Sequence, residues 1–437
     1  MYVANQQRTA ALSELYRRIN WRLLPFLLIC YLFACLDRIN IGFAKLQMQS
    51  DLGLSDAAYG LGAGIFFVGY AMFEIPSNLM LPRMGARKVI SRIMILWGLT
   101  SASMMFVHNE TSFYILRFLL GVFEAGFAPG MIFYLTCWYP QRRMARVMAI
   151  VMLAAPLAGI ISAPVSAFLM KSFHEIHGLA GWQWMFLIEG LPCALLGVAC
   201  LKVIADRPQN ARWLSEAEKK LLLEDITPSA TKHHSFLHVL RDPKVYQLAL
   251  AYFCIICGIY AVQFWLPTIV REAGVKDLTE IGFFTAIPFV AACLFMVIFS
   301  YTSDRFSERR WHSAIPAVIG ALSFLLATLN GGNLLVSMLF MTMATAAIYV
   351  AYTVFWAIPP ALIKGDSAAG GIAFINTIGL IGGFVSPTLI GWMRQMTGTT
   401  QSGLWVMAFL LLTASILLAL NKMPQLPAAR EPASSQV

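Results

Sequence analysis

Long apolar segments alternate with shorter polar segments along the whole chain of 437 residues. An α-helix rises about 1.5 Å per residue and the hydrocarbon core of a bilayer is about 30 Å thick, so an apolar run of about 20 residues is long enough to cross it. The pattern predicts an all-α membrane protein with twelve spanning helices, numbered 1 to 12. Their predicted ranges are 22–42, 58–82, 88–107, 112–137, 145–171, 182–205, 246–271, 279–303, 311–329, 333–357, 369–394 and 402–422.

One polar segment is longer than the others and separates two sets of six helices. We predict an N-terminal six-helix bundle at 1–205, a cytoplasmic central loop at 206–245 and a C-terminal six-helix bundle at 246–437. Within the loop, Ser215 followed by Glu218 is typical of a helix start. We therefore expect a short amphipathic helix on the membrane surface there.

Composition and charge agree with this class of protein. Only 12% of the residues are charged, against about 25% in soluble domains, which argues against a soluble protein. The net charge of +10 comes from scattered basic loops without a basic stripe and interleaved aromatics, so we expect no nucleic-acid partner. With both termini on one side, most of the 32 Lys and Arg residues fall on that side, which predicts that both termini are cytoplasmic. The first helix lacks a cleavage site and is expected to be retained.

Two corresponding loops carry similar basic motifs. The segment 82–88 between helices 2 and 3 and the segment 304–310 between helices 8 and 9 match at three basic positions. Matching register in corresponding loops favours an internal duplication, as many transporters have. If the halves rotate, these loops would form or break contacts. The gate candidates are Arg83, Arg87, Asp304, Arg305 and Arg309. The alternative is that they only set orientation.

Ionisable residues inside spanning helices are costly and are candidates for function. Arg38 and Arg117 are predicted at similar depths, where both can face one cavity and bind a carboxylate through forked, charge-assisted hydrogen bonds. Glu124 follows Arg117 by two helical turns on the same face. It and Asp37 are candidate proton carriers. The alternative is that these four residues form a structural network between helices 1 and 4.

Two more acids lie inside predicted helices. Glu74 precedes Pro76, and Glu189 precedes Gly190 and Pro192. For both, a gate or helix-packing role is favoured, and we leave both outside the predicted binding site.

Several longer strings resemble a known family. They are the segments 31–44, 73–78, 116–126 and 303–310. They resemble the major facilitator superfamily and, within it, the anion:cation symporter branch, similar to bacterial permeases for tartrate, phthalate, hydroxyphenylacetate, nicotinate-pathway acids and sugar acids. Pro82 stands where the family pattern usually has an aspartate.

The resemblance implies roles for particular residues. It implies that the two arginines hold a substrate carboxylate and that Asp37 and Glu124 carry protons. It also implies that Tyr70 on helix 2, Trp356 on helix 10 and Asn376 on helix 11 line the central cavity. Packing is an open alternative for the aromatic residues of helix 10.

The sequence therefore predicts a multi-pass transporter of a bacterial inner membrane that couples proton entry to uptake of a small organic carboxylate. The substrate is an aromatic, hydroxy or sugar acid of a catabolic pathway. An anion exchanger or exporter of the same fold remains an alternative. A membrane enzyme is disfavoured because the seven histidines fall in predicted loops and neither a zinc-protease nor a serine-hydrolase motif occurs. We expect no catalytic residue, metal or cofactor, and a monomer in the lipid bilayer.

Overall fold

The computed structural model describes residues 2–226, 242–306, 308–329, 333–362 and 368–420. All regular structure in these ranges is helical. Twelve helices within them are long and apolar enough to cross a membrane. The predicted all-α membrane fold with twelve spanning helices is therefore confirmed.

We name these helices α1 to α12 in chain order, which matches the predicted numbering. Their bounds are Tyr2–Leu52 (α1), Asp56–Met84 (α2), Ala86–Ser103 (α3), Glu110–Glu124 with Phe127–Thr136 (α4), Gln141–Met152 with Ala154–Ser172 (α5), Gly181–Val203 (α6), Pro243–Glu272 (α7), Leu278–Arg305 (α8), Arg310–Leu329 (α9), Leu334–Phe355 (α10), Ala368–Thr397 (α11) and Gln401–Leu420 (α12). Short helices lie at Glu216–Ile226 and Pro359–Leu362, and single 3-10 turns at Met104–Phe106, Ile176–Gly178 and Pro208–Asn210.

Helix α1 is much longer than its predicted range of 22–42. It contains 51 residues, because polar residues extend the helix beyond both ends of the apolar run. On its N-terminal part, Tyr16 donates to Asp225 at 2.8 Å and Arg8 pairs with Glu224 at 2.9 Å. The acidic partners belong to the short helix Glu216–Ile226, which therefore packs against α1.

That short helix begins as the sequence predicted. The N–H of Ser215 donates to Glu218 Oε2 at 2.9 Å, and the N–H of Glu218 donates back to Ser215 Oγ at 3.3 Å, which is a capping box. The hydrogen bond from Ser215 and the adjacent Arg18 lower the pKa of Glu218 below its usual value. The rest of the central loop up to residue 241 lies outside the described residues.

Helix α4 breaks where one continuous helix was predicted. Its first segment ends at Glu124, and Gly126 has φ of 88°, in the left-handed region that favours glycine. A Cβ at this position would lie 2.5 Å from the hydroxyl of Ser77 on α2. The break therefore needs glycine for both conformation and space, and it leaves Glu124 at a helix end.

The described residues form two compact units. The first comprises those of Met1–Thr231, Gln263–Ile287 and Pro387–Thr400, and the second those of Lys232–Val262, Pro288–Ser386 and Gln401–Val437. The division at 206–245 made from the sequence stays a prediction.

Glycines allow close helix packing in the first unit. A Cβ on Gly121 of α4 would lie 1.9 Å from the carbonyl oxygen of Phe66 on α2, and one on Gly98 of α3 would lie 2.4 Å from the backbone nitrogen of Ala194 on α6. These contacts leave no room for a side chain. These close contacts hold α2 against α4 and α3 against α6. Polar side chains of these four helices and of α1 lie close to one another.

Candidate functional site

Arg38 and Glu124 form an ion pair between α1 and α4. Both Nε and Nη2 of Arg38 approach Oε1 of Glu124, at 2.6 Å and 2.5 Å. The Glu124 side chain is fully buried, whereas 19% of the Arg38 side chain is exposed. The other oxygen of Glu124, Oε2, is buried and accepts no hydrogen bond. One carboxylate oxygen holds the arginine, and the other offers a position for a proton.

Aromatic rings of α2 lie beside both arginines. The guanidinium carbon of Arg38 lies 5.2 Å from the ring centre of Tyr70 and 5.6 Å from that of Phe66. The guanidinium carbon of Arg117 lies 5.1 Å from the same Phe66 ring. Cations at these distances are attracted by the ring faces. The structure thus brings Arg38, Arg117 and Tyr70 together around Phe66, a residue that sequence reasoning missed.

Arg117 is enclosed between α2 and α4. Its side chain is buried and donates from Nε to the carbonyl oxygen of Gly62 and from Nη2 to that of Ala63, each at 3.2 Å. The close approach of the two helices at Gly121 makes these backbone groups reachable. In this conformation Arg117 ties α4 to α2, and of the two arginines Arg38 is the one with an exposed surface.

Asp37 lies next to Arg38 in sequence but faces α3. Its carboxylate accepts hydrogen bonds from Trp97 Nε1 at 2.5 Å, from the hydroxyl of Ser101, and from Asn40 Nδ2 at 3.3 Å. These donors are neutral. Asp37 is therefore buried in a polar niche of its own, apart from the Arg38–Glu124 ion pair.

Glu189 of α6 belongs to this niche. Its carboxylate accepts hydrogen bonds from Asn40 Nδ2 at 3.0 Å and from Ser166 Oγ of α5 at 2.7 Å. Sequence reasoning left Glu189 outside the site and did not single out Asn40. The available signal was an acid in an apolar helix together with a polar residue one turn after Asp37.

The predicted residues of the second unit lie near an aromatic cluster. The Trp356 ring lies edge-on to Tyr252 of α7 with ring centres 4.8 Å apart, and Tyr352 and Phe355 also stack on Tyr252. A Cβ on Gly379 of α11 would lie 2.2 Å from Tyr252.

Asn376 precedes Gly379 by three residues and shares its side of α11. Trp356 and Asn376 are both partly exposed. Tyr252, which the sequence analysis did not select, connects the helices that carry them.

The five gate candidates lie on loops or helix ends. Asp304 pairs with Arg309 at 2.5 Å, and the N–H of Arg87 donates to Asp206 at 2.8 Å, which caps the start of α3. Arg83 and Arg305 are exposed. Their gating role stays a prediction.

The neighbouring Glu308 is part of the second basic motif. It accepts hydrogen bonds from the backbone and ring of His312. Burial opposes ionisation of Glu308, but these bonds outweigh it and lower its pKa.

A second charged cluster in the first unit was not predicted. The ammonium of Lys45 on α1 is buried, lies 3.0 Å from Asp56 on α2, and stands 3.8 Å from the ring centre of Trp265. Asp56 also binds Arg394, whose Nε lies 2.8 Å from Glu272. The predicted range of the first spanning helix ended at residue 42, and Lys45 was not singled out.

The comparison with known families agrees with this arrangement. The sequence profile of the Major Facilitator Superfamily matches residues 27–387. The chain belongs to the Major Facilitator Superfamily. In the described residues, no group of three His, Cys, Asp or Glu side chains is placed to hold a metal ion.

Two bacterial relatives match the chain over most of both lengths. The chain is 47% identical to "Putative metabolite transport protein NicT" of Pseudomonas putida, over 93% of this chain and 94% of that one. It is 44% identical to a "Putative tartrate transporter" of Agrobacterium vitis, over 93% and 90% of the two chains. These relatives fit the predicted anion:cation symporter branch.

A solved transporter structure shares the fold. A bacterial homologue of the human lysosomal transporter Spinster, in an inward-facing and occupied conformation, superposes with a TM-score of 0.75 at 16% identity, covering 91% of this chain and 95% of that one. The family and the named transporter relatives show that the chain is a multi-pass membrane transporter and not an enzyme, as the sequence predicted.

Proposed function

We propose that this chain is a proton-coupled importer of a small organic carboxylate in the bacterial cytoplasmic membrane, working by alternating access. The relatives named for metabolite and tartrate transport support an organic acid as substrate. We take the class to be aromatic, hydroxy or sugar acids of a catabolic pathway.

The Arg38–Glu124 ion pair carries the proposal. A substrate carboxylate would bind the exposed part of the Arg38 guanidinium, where Glu124 already holds two nitrogens. Protonation of Glu124 at its unpartnered oxygen removes the competing charge. The guanidinium of Arg38 can then donate two parallel hydrogen bonds to the substrate carboxylate. The ring of Tyr70 beside Arg38 would contact the body of the substrate. In this mechanism, proton and substrate bind together because they act on the same arginine.

Co-transport of protons also removes an energetic obstacle. Moving one negative charge inward against a membrane potential of about 100 mV costs about 2.3 kcal/mol. One proton per carboxylate cancels this cost. Asp37 is the second proposed proton carrier, since it is buried with neutral donors only.

The remaining predicted residues complete the proposal. Arg117 would reach the substrate when α2 and α4 move apart, and Trp356 and Asn376 would contribute from the second unit. The five gate candidates would act on the cytoplasmic face, together with both termini, since most basic residues lie on that side.

The test is uptake by purified protein in liposomes. A thermal-shift screen against tartrate, phthalate, hydroxybenzoates, nicotinate derivatives and aldonates first selects the probe. Uptake of the labelled probe is then measured with and without an acidic exterior. The proposal expects the gradient to drive accumulation. Equal uptake in both conditions contradicts it.

Exchange measurements separate this proposal from an anion exchanger. A symporter accumulates the probe in empty liposomes, whereas an exchanger needs unlabelled anion inside. Glu280, an exposed acid at the start of α8, gives the control variant Glu280→Gln, which should behave as the parent protein. Glu124→Gln should retain exchange and accumulate less of the probe under the gradient, because only the proton carried by Asp37 remains coupled.

A further inference from the structure

Asp37 and Glu189 are joined by a single amide. Nδ2 of Asn40 donates to Asp37 Oδ1 at 3.3 Å and to Glu189 Oε2 at 3.0 Å. Asp37, Asn40 and Glu189 are 1%, 0% and 3% exposed. The two carboxyl groups come from α1 and α6, and one amide donates to both of them.

 The network therefore links helices that lie far apart in the sequence.

No lysine or arginine of the described residues forms an ion pair with Asp37 or Glu189, although the charge of Arg117 on α4 acts electrostatically on Asp37. The hydrogen-bond donors to Asp37 are the neutral groups of Asn40, Trp97 and Ser101, and the donors to Glu189 are those of Asn40 and Ser166. An isolated charge buried in a low-dielectric interior costs several kcal/mol. Two adjacent buried carboxylates add mutual repulsion. The pair is therefore expected to hold a proton.

The amide of Asn40 suits both protonation states. Its Nδ2 group donates to ionised carboxylates, while its Oδ1 atom is buried and accepts no hydrogen bond. Rotation of the amide by half a turn would place Oδ1 against the same carboxyl oxygens. There it would accept the O–H of a protonated acid. The unpartnered oxygen thus gains a hydrogen bond when the pair binds a proton.

We propose that Glu189 is a third proton-binding carboxyl group of this transporter, and that it shares one exchangeable proton with Asp37 through the rotating amide of Asn40. The proton comes from water and binds one carboxylate oxygen of the pair, and it returns to water when the pair ionises. This inference rests on the proposed function, because the shared proton is transported only if uptake is proton-coupled.

Few other ionisable groups face Glu189. Helix α1 contributes Asp37, and α6 itself contributes the thiol of Cys193, one turn further along. Helix α3 contributes Trp97 and Ser101 to the network, and α5 contributes Ser166. Helix α4 contributes Arg117 and Glu124, which both interact electrostatically with Asp37. Glu189 and Asp37 are thus expected to titrate as a coupled pair.

Infrared spectroscopy tests the proton directly and needs no substrate. The C=O stretch of protonated carboxyl groups is recorded for the purified protein as pH is varied, for the parent chain and for Glu189→Gln. We expect one titrating component to disappear in the variant, and the Asp37 component to shift because its partner is gone. The inference is overturned if the C=O component that disappears in Glu189→Gln does not titrate in the parent chain. It is also overturned if the variant titrates in the same way as the parent chain.

Transport measurements test the consequence, with labelled tartrate as the probe. One pH unit is worth about 1.36 kcal/mol per proton, so removal of one proton lowers the equilibrium accumulation ratio about tenfold per pH unit of gradient. We expect Glu189→Gln to show this loss while exchange continues, and Glu280→Gln to match the parent chain. A role in packing alone would lower rate or thermal stability but leave the ratio unchanged, and that result overturns the inference.

The two proposals fail in different ways. If the parent chain does not respond to the gradient, the proposed proton coupling fails. If the parent chain responds and Glu189→Gln accumulates the probe equally, only the role of Glu189 fails. If the chain does not carry tartrate, the infrared titration decides the inference alone.

Discussion

At the scale of single residues, the central feature is that Arg38 is held by a carboxylate of the protein itself. Glu124 occupies two guanidinium nitrogens in a fully buried position. An incoming carboxylate must compete with it. Protonation of Glu124 is the simplest way to release the arginine without leaving a buried charge unpaired.

This competition predicts how binding depends on pH. In the parent chain, the affinity for a carboxylate ligand should fall as pH rises, because ionised Glu124 competes for Arg38. In Glu124→Gln the affinity should be high and independent of pH over the same range. Isothermal titration with the ligand found by the screen measures both. A flat profile for the parent chain, or an unchanged slope in the variant, contradicts the competition.

The buried charged residues show what could and could not be predicted from the sequence. Arg38 and Glu124 were predicted as two of four charged site residues because the cost of charge in hydrocarbon singles them out and helical spacing gives their depths. The contact of Asn40 with Glu189 depends on how α1 and α6 pack. No local pattern encodes that contact. Lys45 was not singled out because a lysine usually ends an apolar run, whereas here Asp56 and two aromatic rings compensate its burial.

At the scale of helices, the main feature is the break in α4, which places Glu124 at the end of the first helical segment. Gly126 permits this break, because its φ is 88° and a Cβ at this position would lie 2.5 Å from the Ser77 hydroxyl. The sequence predicted one continuous helix over 112–137 and did not predict that the helix would stop directly after the proton-binding candidate.

Substitution of Gly126 should therefore destabilise the protein. Gly126→Ala forces alanine into a left-handed conformation and should cost about 1–3 kcal/mol. The control is Gly130→Ala in the next segment, where a Cβ would make ordinary contacts with Leu81 at 3.4 Å and where alanine favours the helix. Thermal unfolding in detergent measures both variants. Equal melting temperatures would show that the break does not depend on Gly126.

The cluster at the C-terminal end of α1 gives a second prediction for helix packing. Asp56→Asn leaves the buried Lys45 ammonium without its ion-pair partner and should cost about 3–5 kcal/mol. Lys45→Met should cost less, because Asp56 retains Arg394 and Gln49. Melting temperatures of the two variants in detergent test this order. The reverse order would mean that Lys45 does not depend on Asp56.

At the scale of the whole molecule, the count and approximate positions of the spanning helices followed from the sequence. The thickness of the bilayer imposes a minimum apolar length, and this constraint acts along the chain without reference to tertiary contacts. Helix ends were less accurate, since polar residues extend α1 well beyond its apolar run. The packing of one helix against another was not predictable, because it depends on close approaches such as that of Gly121 to Phe66.

Orientation is a further property of the whole molecule that can be tested. A fluorescent protein fused after residue 437 should fluoresce, because the distribution of basic loops predicts cytoplasmic termini. Alkaline phosphatase fused at the same point should be inactive. Fusions truncated in the loop after α5, near Gly178, should give the opposite pair of signals. Inverted signals would contradict the assigned orientation.

The most direct test of the central claim is the equilibrium accumulation of the labelled carboxylate in liposomes containing the parent chain, with the membrane potential held at zero. The external pH is lowered stepwise while the internal pH is kept constant. Proton-coupled uptake predicts that the ratio of internal to external label rises about tenfold per pH unit for each coupled proton. A ratio that stays constant across the gradient would contradict proton-coupled import.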